Sequence, residues 1–346
     1  MKLDKLILYR LQSGETVEMP IDDIGPLIKK TLSSKLIRDI VFRERISKFF
    51  GFLCRNDFIS KILSKTKLAD KINSTIATTY KQHQHKNLNA AFIHRGERKL
   101  FPVNSDISDN LLECLISSPA DAYMNIRDIV DKKVELYPNL LLDIEKMVGE
   151  NNSRMFEKGG KFLLLTLKPF HDHTVDYPVC SQVINITEIV NKKNKRVLST
   201  DLYFVRFIAD LEDKFVFSEN HRMVTKLFAK SFDEEYLFIE VGATNVNSIE
   251  QDNCQLNQVY KRGTQKSHFN FGSTVILLLP DSFQQKLYFP HIYHQGVNIS
   301  VEVKRRNIIA CTKDFQTIEV LPIGDGVGLS LEYNEDNQVI KSKIVR

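Results

Sequence analysis

Phe269-Asn270-Phe271-Gly272-Ser273-Thr274 runs without a break into Val275-Ile276-Leu277-Leu278-Leu279-Pro280. The second half is an apolar run of strand length, β-branched at its start, and it predicts a buried strand. The first half is a small-residue turn that sets a hydroxyl at the mouth of that strand. Gly272 lets the backbone bend and leaves its own carbonyl unshielded by a side chain. The Ser273 hydroxyl stands next to that carbonyl. Taken alone, Gly-Ser-Thr also reads as a plain loop before a strand.

The whole chain gives this turn its setting. Its 346 residues have room for one large domain, or a domain with a helical extension. Hydrophobic residues at 42% and charged residues at 26% describe a globular protein with a real core. A net charge of +5, spread along the chain, does not argue for nucleic acid and is compatible with an acidic lipid surface. Five cysteines, an odd number at wide spacing with no CxxC pair, suggest reduced thiols in a cytosolic compartment. No apolar run approaches a membrane span, and Met1-Lys2-Leu3-Asp4-Lys5 has no signal-peptide core. A cytoplasmic protein, peripheral on a membrane, is the expectation.

Upstream, Leu6 to Met19 reads as strand, turn and strand. From Leu27 to about Ile72 the apolar positions fall at three- and four-residue steps, as Ile46, Phe49, Phe50 and Leu53 show. Arg43, Arg45, Lys48 and Arg55 lie between them. Such a basic amphipathic helix either anchors on a membrane surface or packs its apolar face on the protein. His83 and His85 lack an acidic or cysteine partner and read as a solvated loop. The apolar segment from Leu111 to Ile116 stops at Ser117-Ser118-Pro119-Ala120-Asp121-Ala122, where Asp121 is either rigidly held or caps a plain turn.

Leu140 to Val148 reads as a helix and Phe162 to Leu167 as a strand. Next comes Lys168-Pro169-Phe170-His171-Asp172-His173-Thr174-Val175-Asp176-Tyr177-Pro178-Val179, the densest titratable cluster of the chain. It suits proton transfer or a metal, or it is a polar surface loop. With no fourth ligand in sight, no metal is expected. Lys192-Lys193-Asn194-Lys195-Arg196 reads as a solvated tip. Further strands are expected at Leu202 to Ile208, Tyr236 to Val241, Val301 to Val303, Ile308 to Cys311 and Ile318 to Leu321.

Taken in order, the segments resemble the phosphatidylserine decarboxylase family of pyruvoyl enzymes. The resemblance rests on Leu8-Tyr9-Arg10-Leu11-Gln12-Ser13-Gly14, Phe92-Ile93-His94-Arg95, Ser118-Pro119-Ala120-Asp121 and Leu167-Lys168-Pro169 through Pro178. Asn220-His221-Arg222, Val241-Gly242-Ala243-Thr244-Asn245-Val246 and Gly272-Ser273-Thr274-Val275 complete it. The resemblance implies an α+β fold, with a helical N-terminal region over residues 1–85 and a β-rich mixed catalytic domain over 86–346.

It also implies a proenzyme that cuts itself between Gly272 and Ser273. The serine attacks the preceding carbonyl, the ester eliminates, and Ser273 becomes the pyruvoyl cofactor. Asp121 maps onto the family's acid, His173 onto the first histidine of its two-histidine motif, and Asp176 onto the second. An aspartate is a weaker base than histidine unless burial raises its pKa, so His171 or His173 is an alternative proton acceptor. The stretch Gly263-Thr264-Gln265-Lys266-Ser267 and Ala122 also depart from the family pattern.

The implied activity is conversion of phosphatidylserine to phosphatidylethanolamine and CO2 at a membrane surface. The implied partners are that surface, phosphatidylserine, the cleaved chain itself (1–272 with 273–346) and a possible second copy in a homodimer, with no nucleic acid. The alternatives are a pyruvoyl decarboxylase of a free amino acid, and a non-cleaving relative that binds lipid or a partner protein.

Overall fold

The computed structural model describes residues 5–10, 16–20, 34, 44–63, 87–93, 115–137, 140–168, 171–190, 216–242, 248–270, 273–289, 299–313, 320–324, 327–333 and 339–345. The first strands along the chain are β1 (Lys5–Arg10), β2 (Thr16–Pro20), β3 (Leu115–Ser117), β4 (Ala122–Val130), β5 (Lys133–Tyr137), β6 (Leu140–Asp143) and β7 (Gly160–Leu167). They continue as β8 (Thr174–Asp176), β9 (Ser181–Ile189), β10 (Arg222–Ala229), β11 (Glu234–Gly242), β12 (Ser248–Gln251), β13 (Val259–Tyr260) and β14 (Gln265–Asn270). The last are β15 (Ser273–Pro280), β16 (Leu287–Tyr288), β17 (Ile299–Val303), β18 (Ile308–Thr312), β19 (Val320–Gly324), β20 (Val327–Tyr333) and β21 (Val339–Val345). The helices are α1 (Glu44–Arg55), α2 (Asp57–Leu63), α3 (Leu88–Ile93), α4 (Ile144–Val148), α5 (Glu150–Ser153), α6 (Val216–Glu219) and α7 (Asp281–Gln285).

The apolar run that follows the serine turn is β15, in the middle of a twelve-stranded sheet ordered β13-β9-β10-β11-β15-β7-β4-β17-β1-β2, with β5 and β6 branching from β4. Val275 to Leu279 are all buried, as a strand covered on both faces requires. The two-residue period divides its neighbourhood into two cores. Leu163, Leu165, Val275, Leu277 and Phe238 lie in one, shared with Val175 of β8, Phe269 of β14 and Ile309 of β18. These last belong to two small sheets, β12-β14-β8 and β16-β18-β3. Leu164, Ile276, Leu278 and Ile239 lie in the other core, against Ile144, Met147 and Val148 of α4 and Val216 and Phe217 of α6. At Gly160 a Cβ would overlap the Leu279 carbonyl oxygen, so only glycine lets β7 close onto the end of β15.

The chain's expected strand, turn and strand before residue 20 is the antiparallel pair β1 and β2, and β1 runs parallel to β17. Leu140 to Val148 is not one helix. Leu142 pairs with Val134, and the helix starts only after Asp143, whose Oδ1 accepts from the amides of Glu145 and Lys146 at 2.9 and 3.3 Å. A carboxylate in that capping position ends the strand and starts the helix. Of the expected 27–72 helical stretch, residues 44–63 form α1 and α2, separated where Asn56 Oδ1 accepts from the Ile59 amide at 3.0 Å. His83, His85, Lys192 to Arg196 and Leu202 to Ile208 lie outside the described residues.

Arg222 ties the helical layer to the sheet. Its guanidinium donates to the carbonyls of Met147 (2.6 Å), Lys146 (3.0 Å), Ser218 and Asn220 (both 2.9 Å). These are the carbonyls that α4 and α6 leave unpaired at their C-terminal ends. Burial pulls its pKa down to about 10, which still leaves it charged at neutral pH. Arg222→Met strands four buried acceptors. It is expected to lower the unfolding free energy by about 3 kcal/mol, read as a lower urea midpoint.

Candidate active site

Strand register places the serine. Ser273 opens β15, paired with Gly242 at the end of β11 and Leu167 at the end of β7. On the far side of β7, Tyr123 pairs with Thr166, and β17 sets Val303 opposite Ala122. Asp121, one residue before β4, therefore reaches the same end of the sheet as Ser273. Adjacent strands lie about 4.8 Å apart, so the β4 backbone is about 10 Å from that of β15. Gly242 is clasped from outside: Asn220 Nδ2 donates to its carbonyl at 2.7 Å, and its amide donates to the His221 carbonyl at 2.9 Å. The Asn220-His221-Arg222 element thus fixes the strand end beside the serine. Gly272 lies outside the described residues.

Two histidines hang from the peptide that follows Leu167. The Lys168 amide donates to His171 Nδ1 at 3.1 Å, and His173 Nε2 donates to the Lys168 carbonyl at 3.1 Å. In a neutral ring this leaves Nδ1 of His173 as the proton-accepting nitrogen. Both rings are buried, at 1% and 0% exposure, and His171 meets Tyr123 edge-on with centroids 5.0 Å apart. The cluster is therefore not a polar surface loop. Thr174–Asp176 forms β8 and is drawn inside by pairing with β14.

The same pairing separates His173 from Asp176. The His173 carbonyl accepts the Phe269 amide at 3.0 Å, near the serine end of β14, whereas Asp176 pairs with Gln265 at the other end. The Asp176 carboxylate is 1% exposed and held by arginines. Arg306 Nε donates to its Oδ2 at 2.8 Å, and Arg305 Nη1 lies 3.6 Å from Oδ1. Burial pushes its pKa up, against the pull of Arg305 and Arg306. Arg305 also lies 3.4 Å from Asp172 Oδ2, and its Nη1 donates to Thr174 Oγ1. Its backbone amide donates to Asp121 Oδ1 at 2.8 Å, so Arg305 touches both Asp121 and Asp176. Arg306 adopts the left-handed region at φ 74° while its amide donates to the Ser118 carbonyl. A bulky residue held there is strained, and its bonds to Ser118, to Asp176 and to the Gly263 carbonyl, the last from Nη2 at 2.8 Å, hold it in place.

On the opposite face of β15 from Val275, the hydroxyls of Thr166 and Thr274 are buried register partners with no hydrogen-bond partner among the described residues. Among the described residues no group of three or more His, Cys, Asp or Glu side chains is placed to hold a metal ion.

The motif order points to Ser273, Asp121, His173 and Asp176. It gives no sign of the contacts that Arg305 and Arg306 make with Asp121 and Asp176, since their signal is a basic pair after a strand.

Comparison with known proteins agrees with the motif order. A family model described as phosphatidylserine decarboxylase matches residues 87–304. A phosphatidylserine decarboxylase proenzyme of Anoxybacillus flavithermus is 27% identical over 233 residues, which is 67% of this chain and 80% of that protein. Proteins of the same name from Chlamydia trachomatis and Geobacillus kaustophilus are 25% and 27% identical, over 72% and 68% of this chain and 82% and 87% of their own lengths.

Proposed function

The chain belongs to the phosphatidylserine decarboxylase family, and on that footing we propose that it matures by cutting itself between Gly272 and Ser273. As a family member it is a carboxy-lyase that converts phosphatidylserine to phosphatidylethanolamine and CO2. The cofactor in this reading is the pyruvoyl group made from Ser273. Such a group supplies a carbonyl that takes up the substrate amine and withdraws electrons as CO2 leaves.

One observation carries the reading. The residue in register with Ser273 is Leu167, and both buried imidazoles bond to the peptide groups of Lys168, the next residue. Both rings are thus anchored on the peptide that continues the strand beside Ser273, and the reading takes one of them as the base that a serine nucleophile needs. His173, oriented by the Lys168 carbonyl, takes the serine proton. Asp121 and Asp176, joined through Arg305, hold the neighbouring loops in place.

The division at residue 85 separates a lipid-facing region from the catalytic residues 86–346. Phe49, Phe52, Phe58 and Ile62 on α1 and α2 are 62%, 57%, 72% and 48% exposed, with Arg45, Arg55 and Lys61 exposed beside them. Among the described residues no helix is long and apolar enough to cross a membrane. This face suits the surface of an anionic bilayer, where apolar rings insert and basic groups meet phosphates.

Changing Phe49, Phe52 and Phe58 together to serine is expected to weaken binding to phosphatidylserine vesicles at least about a hundredfold, given about 1.5 kcal/mol for each ring. A vesicle-flotation titration checks this, and unchanged binding removes the face from the reading.

A second reading has one observation in its favour. The carboxylate at the second histidine position is committed to Arg305 and Arg306, as it would be in a relative that binds lipid without cleaving. A denaturing gel separates the two: fragments 1–272 and 273–346 support the enzyme, and a single band after long incubation supports the binder.

A further inference from the structure

At Glu240, the β11 residue opposite Val275, lies an ion pair sealed from water. Lys266 Nζ donates to Glu240 Oε2 at 2.7 Å, and both side chains are 0% exposed. Lys266 Nζ also donates to Gln251 Oε1 at 2.7 Å, and Gln251 Nε2 donates to Glu240 Oε2 at 2.9 Å. Ser267 Oγ donates to the remaining oxygen, Glu240 Oε1. The ammonium lies 5.1 Å from the centre of the Phe238 ring. Every oxygen of the Glu240 carboxylate is therefore satisfied, and three strands meet at it: β11 through Glu240, β12 through Gln251, and β14 through Lys266 and Ser267.

A buried pair of this kind adds little to stability over apolar residues of the same size, and its better-attested use is to specify one arrangement among several. The arrangement at stake here is the register of β14. Against β8, Gln265 pairs with Asp176 and Ser267 with Val175, so Lys266 is the extra residue of a bulge. A bulged strand has a neighbouring register within reach. A slip of one residue moves the chain about 3.3 Å and reverses the faces of every side chain after it. Gly272 and Ser273 follow Lys266 by a few residues, and attack on a carbonyl loses most of its rate when the reacting atoms are misplaced by about 1 Å.

We infer that the Lys266–Glu240–Gln251–Ser267 cluster is a register lock that positions the Gly272–Ser273 peptide bond for self-cleavage, with Lys266 and Glu240 as positioning residues. The positioning claim rests on the cleavage reading above. The lock itself does not.

The test is the paired variant Glu240→Leu/Lys266→Met, which removes both charges and keeps the volume. It is expected to fold with a urea midpoint near that of the parent and to release fragment 1–272 at least tenfold more slowly. In parallel, the pair is placed in Ser273→Ala chains, where cleavage is blocked, and amide hydrogen exchange is read across 265–270. Exchange there is expected to rise at least tenfold, with β7 and β15 unchanged.

Wild-type cleavage rate with unchanged exchange overturns the inference, and faster exchange without slower cleavage overturns the positioning claim. If the parent chain never cleaves but exchange rises as expected, the lock stands and the cleavage reading falls. Should the pair variant not fold, Gln251→Leu leaves the ion pair whole and is expected to show about a threefold effect on exchange; no effect overturns the inference.

Discussion

Ser273→Ala is expected to give one unbroken chain with no decarboxylase activity. The backbone of residue 273 already has its partners, Gly242 on one side and Leu167 on the other. That register needs no hydroxyl, so the variant should fold, with its urea midpoint within about 0.5 kcal/mol of the parent. What disappears is the hydroxyl next in the chain to the glycine carbonyl, and with it the atoms from which the cofactor is made. The loss is therefore of cleavage and catalysis together, which separates this residue from one that merely binds substrate. A denaturing gel and a CO2-release assay with phosphatidylserine vesicles read both. Two fragments from the alanine variant, or activity near that of the parent, would refute the assignment of Ser273.

His173→Gln is expected to slow cleavage by at least about a hundredfold, the usual worth of a positioned general base. Glutamine can still donate to the Lys168 carbonyl that His173 holds at 3.1 Å, so the loop keeps its shape while the proton acceptor is lost. Asp176→Asn is expected to behave in the opposite way. It leaves Arg306 facing a neutral amide, and removing one partner of a buried pair costs about 3 kcal/mol. Cleavage by the folded fraction should change less than about tenfold, since His173 is untouched. Cleavage time courses and urea unfolding of both variants separate the roles. If Asp176→Asn stops cleavage while His173→Gln is tolerated, the roles are the reverse of those argued here.

The sequence made the centre of the fold legible because Val275 to Leu279 of β15 are apolar without a break, the pattern of a strand buried on both faces. Ser273, Asp121 and His173 stand out as candidates because each sits in a short segment with its own backbone chemistry, and the order of those segments is that of the family the chain matches. The arginine clamp does not, since Arg306 and Asp176 lie 130 residues apart in the chain, and no local pattern announces such a contact. Lys266 was hidden for another reason. A lysine among polar residues reads as solvated, and only the three-strand meeting at Glu240 buries it. The 140–148 segment was misread because three leucines before a capping aspartate fit a strand and a helix equally well.

Intact mass of the purified protein tests the central claim most directly. The account expects two chains, one ending at Gly272 with an ordinary carboxylate. The other begins at residue 273 and is lighter by one ammonia than the same chain with an N-terminal serine. A folded sample that stays a single chain of 346 residues after prolonged incubation, or a second chain that begins with a free serine amine, would contradict it.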